Sequence, residues 1–354
     1  MKNRVIKTAL GILLTACVVL LFFLHRPEET VPEFVFSYAE NQNEDYPTTL
    51  GGQYFADLVE ERTDGRIKIL VHHSAKKGAE SEVVEQLKYG GVDFARISLS
   101  MLTEYIEELS VLHLPYLYKD SEHMWKVLDG EIGKDFLSMI SETELIGLSW
   151  YDAGARNFYT TEKAITCLED LEGISIRVQE SNMMADMISC LGGVAHKEAY
   201  AQVYSLLERG KVQGAENNWP SYESEAHYEV AKYYTVDEHT RVPEIQVCSA
   251  HTWEKLSKED QDIILECAKE SALYQRELWK EQEAKSKQAA ILAGTTVIEL
   301  TEEEKERFRE AVMPVYEKYC GQYRELVEEI IAYGNWNLRN QKSESAKPVR
   351  FLNV

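Results

Sequence analysis

The sequence predicts an α/β protein of two lobes joined by a long bridging helix, on three observations. Strand-period and helix-period apolar runs alternate from Phe34 to Leu99, the alternation resumes after Leu145, and a highly charged helical pattern runs from Lys258 to Ala293. Phe34–Tyr38 reads as a strand. Thr48–Arg62 then places Leu50, Tyr54, Phe55, Leu58 and Val59 on one helical face before Asp64-Gly65 stops it. Ile67, Ile69 and Val71 alternate with polar neighbours, Glu80–Tyr89 turns Val83, Val84 and Leu87 inward, and Val92–Leu99 is a third strand. This order implies parallel pairing with right-handed crossovers, so that loops at the strand C-termini line a cleft.

Helical turns follow at Ser121–Leu128 and Ile132–Ile140, then strands at Leu145–Tyr151 and Ile174–Val178. Helices at Asn182–Cys190 and Tyr200–Arg209 flank Gly192-Gly193, and strands near Tyr233–Val236 and Ile245–Ser249 pass back towards the first lobe. The run from Lys258 suits a strut across both lobes; a short strand at Thr295–Leu300 and helices at Glu302–Tyr319 and Tyr323–Tyr333 complete the chain. We therefore divide it into an export segment (1–27), a first lobe (28–150), a second lobe with crossing strands (151–250), the bridging and C-terminal helices (251–334) and a flexible tail (335–354).

Composition narrows the function. The 354 residues carry 38 Lys and Arg against 60 Asp and Glu, a formal charge of −22 that repels nucleic acid, and no basic stripe reverses it. The six cysteines show no C-x-x-C spacing, which argues against structural zinc and redox sites; most are expected to be buried thiols, and a pair such as Cys167 with Cys190 could oxidise outside the cell. Lys2, Arg4 and Lys7 precede an apolar run of 17 residues, Thr8–Leu24, the pattern of an export signal, with orientation set by the basic start. The run is a retained signal anchor, a lipoprotein signal in which Cys17, in Leu14-Thr15-Ala16-Cys17, is lipidated, or, as the less favoured alternative, a cleaved signal that releases the protein. Either of the two favoured routes tethers an extracytoplasmic protein to the outer face of a membrane.

In so acidic a chain an anionic small molecule is held only where positive charge is concentrated and shielded. Alternation in Ile174-Ser175-Ile176-Arg177-Val178-Gln179 buries the apolar residues on one side and groups Ser175, Arg177 and Gln179 on the other, where Arg177 can grip a carboxylate with two parallel hydrogen bonds. The alternative is a surface arginine on an edge strand. Arg156 follows a strand at a glycine-marked turn, Asp152-Ala153-Gly154-Ala155-Arg156. Gly214–Tyr222 reads as a turn in which Glu216, Asn217 and Asn218 offer polar groups and Trp219 and Tyr222 offer faces for a sugar ring, or else an Asx turn over a core. Arg96, in an apolar strand, either pairs with Asp93 or points into the cleft. Catalytic and cofactor signatures are missing: no H-E-x-x-H, G-x-S-x-G, G-x-G-x-x-G or P-loop pattern occurs, so neither enzyme chemistry, a metal nor a cofactor is expected.

These residues together resemble the solute-binding proteins of tripartite ATP-independent periplasmic (TRAP) transporters, of the DctP type. The likeness rests on Leu168-Glu169-Asp170-Leu171-Glu172-Gly173-Ile174-Ser175-Ile176-Arg177-Val178 and on Tyr204-Ser205-Leu206-Leu207 followed by Gly214–Asn218. It implies a two-lobed periplasmic-binding-protein-like fold, with Arg177 anchoring a ligand carboxylate, Asn217 touching the ligand and Arg156 adding a second basic contact. Asp152–Arg156, Asp93–Arg96 and Ala215–Tyr222 are similar to members that bind hexuronates such as glucuronate and galacturonate, which would set Glu80 and Glu40 or Asn41 against the hydroxyls. The chain departs from the family pattern at His73–Gly78, at Gln213 and at Cys167. The expected ligand contacts are thus Arg177, Arg156, Asn217, Arg96, Glu80, Glu216, Trp219 and Asn41, and the expected partners an organic acid and a TRAP permease. The competing readings are a uronate-processing enzyme and a ligand-sensing subunit of a signalling system.

Overall fold

The computed structural model describes residues 31–334; the export segment with Cys17 and the tail from Asn335 lie outside the described residues. Strands β1 (Phe34–Ala39), β2 (Ile67–His72) and β3 (Phe94–Ser98) pair in parallel in the order β2-β1-β3, with the helices Pro47–Arg62 and Glu80–Lys88 as crossovers. β4 (Leu145–Tyr151) closes the other edge. The second sheet holds β5 (Arg156–Thr160), β6 (Ser175–Val178), β7 (Val194–Lys197), β8 (Gly214–Asn217) and β9 (Tyr233–Thr240). β10 (Glu244–Ser249) returns to the first sheet, antiparallel between β3 and β4, and β11 (Thr296–Glu299) adds to β9. The result is two mixed sheets in the orders β2-β1-β3-β10-β4 and β11-β9-β5-β8-β6-β7.

All residues of β3 and β10 are buried, so these central strands read as near-continuous apolar runs interrupted only by polar groups with partners. The helix Lys258–Leu292 packs on the helix Pro47–Arg62 and on β4 in one lobe, and on the helix Trp219–Ser224 in the other. Its fully buried Gln275 fastens it to the crossing between the sheets: Oε1 accepts from the Asp152 amide at 2.8 Å and Nε2 donates to the Asp152 carbonyl at 2.9 Å. Two residues on, Gly154 has φ +60°, and a Cβ there would stand 2.6 Å from Glu283 Oε1 and 2.8 Å from Trp279 Nε1, so only glycine fits the turn.

Several expectations need correction. Gly214–Asn217 is not a turn but the strand β8, paired with β5 and β6, and Trp219–Ser224 is a helix. The sequence reading lacks two strands: β5, Arg-Asn-Phe-Tyr-Thr, which is held between β8 and β9, and β7, a short and mostly exposed segment set by its pairing with β6. Tyr200–Arg209 resolves into a 3-10 turn and the helix Val203–Glu208, and Glu302–Tyr319 breaks into Glu302–Ala311 and Met313–Cys320, where Pro314 opens the second helix. The five cysteines among the described residues are free thiols, Cys248, Cys267 and Cys320 buried and Cys167 and Cys190 half-buried. Among the described residues no helix is long and apolar enough to cross a membrane.

Gln275→Met should lower the unfolding free energy by about 2–4 kcal/mol, since it strands a buried amide and carbonyl together. Urea unfolding measures this; a loss below about 1 kcal/mol would show that the crossing holds without the helix.

Candidate functional site

Strand ends from both sheets meet at a cavity of about 230 Å³. On the first side, Tyr38 lies level with Phe94 in the parallel β1–β3 pair, which brings Glu40, just past β1, level with Arg96. β10 sets Glu244 opposite Ser98 and Gln246 opposite Arg96, so alternation puts Arg96, Ser98 and Glu244 on one face. Glu80 enters from the first turn of its helix.

Arg96 is 2% exposed, and every one of its five N–H groups is engaged. Nε donates to Glu40 Oε2 at 3.0 Å, Nη1 to Glu80 Oε1 and Glu244 Oε2 at 2.8 Å each, and Nη2 to Glu40 Oε1 and Asn41 Oδ1. Three carboxylates thus face one guanidinium. Burial opposes the Arg96 charge, but Glu40, Glu244 and Glu80 together hold its pKa well above the ordinary arginine value. Burial pushes Glu244 up to about 7 and raises Glu80 as well, each also feeling other carboxylates and neither fully offset by Arg96. Asp93 is not the partner of Arg96; it accepts from the Ser37 amide and hydroxyl and from Thr252.

On the second side, Arg177 pairs with Ala215 across β6 and β8, and Asn217 follows on the same face. Arg156 and Glu216 lie diagonally across β5 and β8 on the opposite face. Arg156 Nε donates to Glu216 Oε2 at 2.5 Å, and Nη2 donates to the Glu216 carbonyl and Oε1, both at 2.9 Å. Glu216 also meets His239, itself 3.0 Å from Asp237. Although burial disfavours both charges, Arg156 and His239 bring Glu216 down to about 2, while Asp237 and Glu216 lift His239 to about 9, so this inner network is balanced in charge.

Arg177 differs from both other arginines. Its Nε and Nη2 donate to one carbonyl, that of Glu198, at 2.9 and 2.6 Å, and its buried Nη1 has no partner among the described residues. Burial lowers its pKa from the ordinary arginine value, whereas Arg96 and Arg156 are raised. Other cavity groups are unsatisfied too: Gln42 Oε1, Thr48 Oγ1, Gln179 Oε1 and Trp279 Nε1 are buried without a partner among the described residues. Buried polar groups are seldom left so, and their concentration here marks a polar site for a small molecule. Hydrogen bonds from lobe to lobe close it over: Gln179 Nε2 to Ser98 Oγ at 3.0 Å, Tyr46 Oη with Ser221 Oγ at 2.8 Å, and Asn43 Nδ2 to Glu225 Oε1 at 3.1 Å.

Of the predicted contacts, Arg177, Arg156, Asn217, Arg96, Glu80 and Asn41 line the cavity. Glu216 and Trp219 do not: Glu216 is fully buried under Arg156, and Trp219 stacks on Tyr234 with ring centroids 3.6 Å apart. Tyr222 shares that aromatic core rather than offering a face to a sugar. Sequence reasoning missed Glu244 and Trp279. A carboxylate directly before the apolar strand Ile245–Ser249 was the available signal for the first; the helical pattern gave none for the second. Among the described residues no cluster of side chains could hold a metal ion.

The sequence profile of bacterial extracellular solute-binding protein family 7, DctP, matches residues 38–322. The chain belongs to this family. It is a solute-binding protein of the TRAP transporter class, with the two-lobed fold of that class. A solute-binding protein of Chromohalobacter salexigens is 37% identical over 281 residues, 79% of this chain and 83% of the relative. The C4-dicarboxylate-binding protein DctB of Bacillus subtilis is 30% identical over 302 residues, 84% of this chain and 86% of its own. A TRAP periplasmic solute-binding protein of Bradyrhizobium, solved in complex with galacturonate, is 38% identical with a TM-score of 0.81, covering 84% of this chain and 99% of its own. One from Pseudomonas putida F1 with bound D-glucuronate is 34% identical with a TM-score of 0.82, covering 84% and 97%.

Because the folded protein holds the Glu244 proton more tightly than the unfolded chain, that group's stabilising contribution is complete below its ordinary pKa of 4.5 and fades as pH rises through about 7. Glu244→Gln should therefore flatten the fall in melting temperature between pH 4.5 and 7. Parallel curves for the two proteins would contradict the assignment.

Proposed function

We propose that this protein captures a hexuronate, glucuronate or galacturonate, and hands it to a TRAP membrane permease. The observation that carries the reading is Arg177, a buried guanidinium with no carboxylate partner and an idle Nη1 at the cavity. A ligand carboxylate supplies the missing anion, and the water-excluded site strengthens that contact. Arg156 Nη1 is outside the Glu216 pair and adds a second donor. Asn217 takes part from the neighbouring strand. At the other end, Glu80 Oε2 and Glu244 Oε1 are outside the Arg96 bonds and accept from ligand hydroxyls. The hexuronates bound by the Bradyrhizobium and Pseudomonas relatives fit this division of the site. No covalent step is required: a ligand that touches both lobes favours the closed form, which the permease distinguishes from the empty one.

Thermal-shift and calorimetric titration against glucuronate, galacturonate, succinate, sialic acid and glucose test the reading. A hexuronate at 100 times its dissociation constant should add about 2.7 kcal/mol of stability. Arg177→Ala should weaken binding at least about 100-fold through loss of charge-assisted hydrogen bonds. A response to succinate or sialic acid but to neither hexuronate would leave the family and remove the ligand.

We further propose that residues 1–27 tether the protein to the outer face of a membrane, as a retained anchor or through lipid on Cys17. The apolar run after three basic residues supports this. Membrane fractionation of the wild type and of Cys17→Ser distinguishes the routes: the lipid route predicts release of the variant, the anchor route predicts none, and a freely soluble wild type rejects both.

A further inference from the structure

The two ends of the cavity are built from opposite chemistry. At the Arg177 end, an N–H donor is idle and the guanidinium has only a carbonyl beside it. At the Arg96 end the guanidinium has no idle donor: all five of its N–H groups are taken by Glu40, Glu80, Glu244 and Asn41. Above about pH 7, where Glu244 is ionised, this end presents mainly acceptor oxygen, from carboxylates that outnumber the cation holding them. The Arg96 side chain is 2% exposed, Glu244 9% and Glu80 12%, so water does little to screen that charge. A hydroxyl donates to such oxygens. A carboxylate does not, and it brings a further like charge into a dry site.

We propose that Glu80 and Glu244, positioned by Arg96, make the cavity a charge filter that admits sugar acids with one carboxylate and rejects those with a carboxylate at both ends. The inference rests on the hexuronate reading above and adds the property by which this site excludes dicarboxylic acids. Arg96 is accordingly a positioning residue, and the two glutamates determine specificity by repulsion as well as by hydrogen bonding.

The test compares galacturonate, a cyclic sugar acid, with galactarate, its open-chain analogue oxidised to a carboxylate at the remote carbon as well, by calorimetry on the full chain at pH 8, where Glu244 is ionised. The wild type should bind galacturonate at least about 100-fold more tightly. Glu80→Gln combined with Glu244→Gln keeps side-chain size while removing both charges, and should shrink that ratio at least about tenfold. The difference in ligand shape is the same for both proteins, so the change in ratio reports what the substitutions alter, the loss of two charges and the gain of two amide donors. Circular dichroism and a cooperative thermal transition show that the variant is folded, and its affinity for galacturonate should fall with the loss of two acceptors; if it is not folded, Glu80→Gln alone, at the more exposed position, should shrink the ratio at least about threefold. Comparable affinity of the wild type for both acids, or a ratio unchanged in the folded variant, overturns the filter and leaves the hexuronate reading intact. A wild type silent to both hexuronates removes the reading and the filter with it.

Discussion

Five N–H groups of a single buried guanidinium fix the first half of the site. Arg96 stands on β3, in the middle of a sheet whose neighbours approach from three directions, and draws Glu40 from the end of β1, Glu80 from a helix start and Glu244 from the returning strand β10. Without it, three carboxylates would be buried within reach of one another, an arrangement too unfavourable to persist ionised. Without them, the guanidinium would be an isolated charge in the core. Each makes the burial of the others tolerable, and the cavity wall follows from that mutual dependence.

The three cavity arginines illustrate why residue type alone does not assign a role. Arg96 is saturated by acidic groups, Arg156 is bound to Glu216 with His239 and Asp237 behind it, and Arg177 touches only a main-chain carbonyl. Only the last combines an unused donor with a buried charge that no carboxylate offsets, the condition under which an incoming anion restores what burial removed. A solute site of this kind is incomplete by construction: the unsatisfied groups of Gln42, Thr48, Gln179 and Trp279 await hydrogen bonds that the protein does not supply to itself.

The scaffold explains how such a site sits between two sheets. β4 leads through Asp152–Ala155 into β5, and β9 leads back into β10, so the connections cross between lobes beside the cavity. The helix Lys258–Leu292 spans both lobes and, through Gln275, Trp279 and Glu283, packs against the first crossing where Gly154 turns. Across the cleft, side chains of the two lobes join through Gln179–Ser98 and Tyr46–Ser221, contacts weak enough individually to part and reform.

Periodicity in the sequence determined the alternating strands and helices of the first lobe, the long strut and the place of Arg177 on its strand, because these are local properties of spacing and alternation. The family's motifs located Arg156 and Asn217. The sequence left open what each arginine holds. That Arg96 is enclosed by Glu40, Glu80 and Glu244, that Glu216 lies beneath Arg156 rather than in the cavity, and that Trp219 and Tyr222 belong to an aromatic core are consequences of strand register and of which segments become neighbours. Gly214–Asn217 shows the same limit in the backbone: four residues with little strand propensity become a central strand because β5 and β6 offer hydrogen bonds on both sides. A charge is assigned its role by its partners, and partners distant in sequence meet only when the chain has folded.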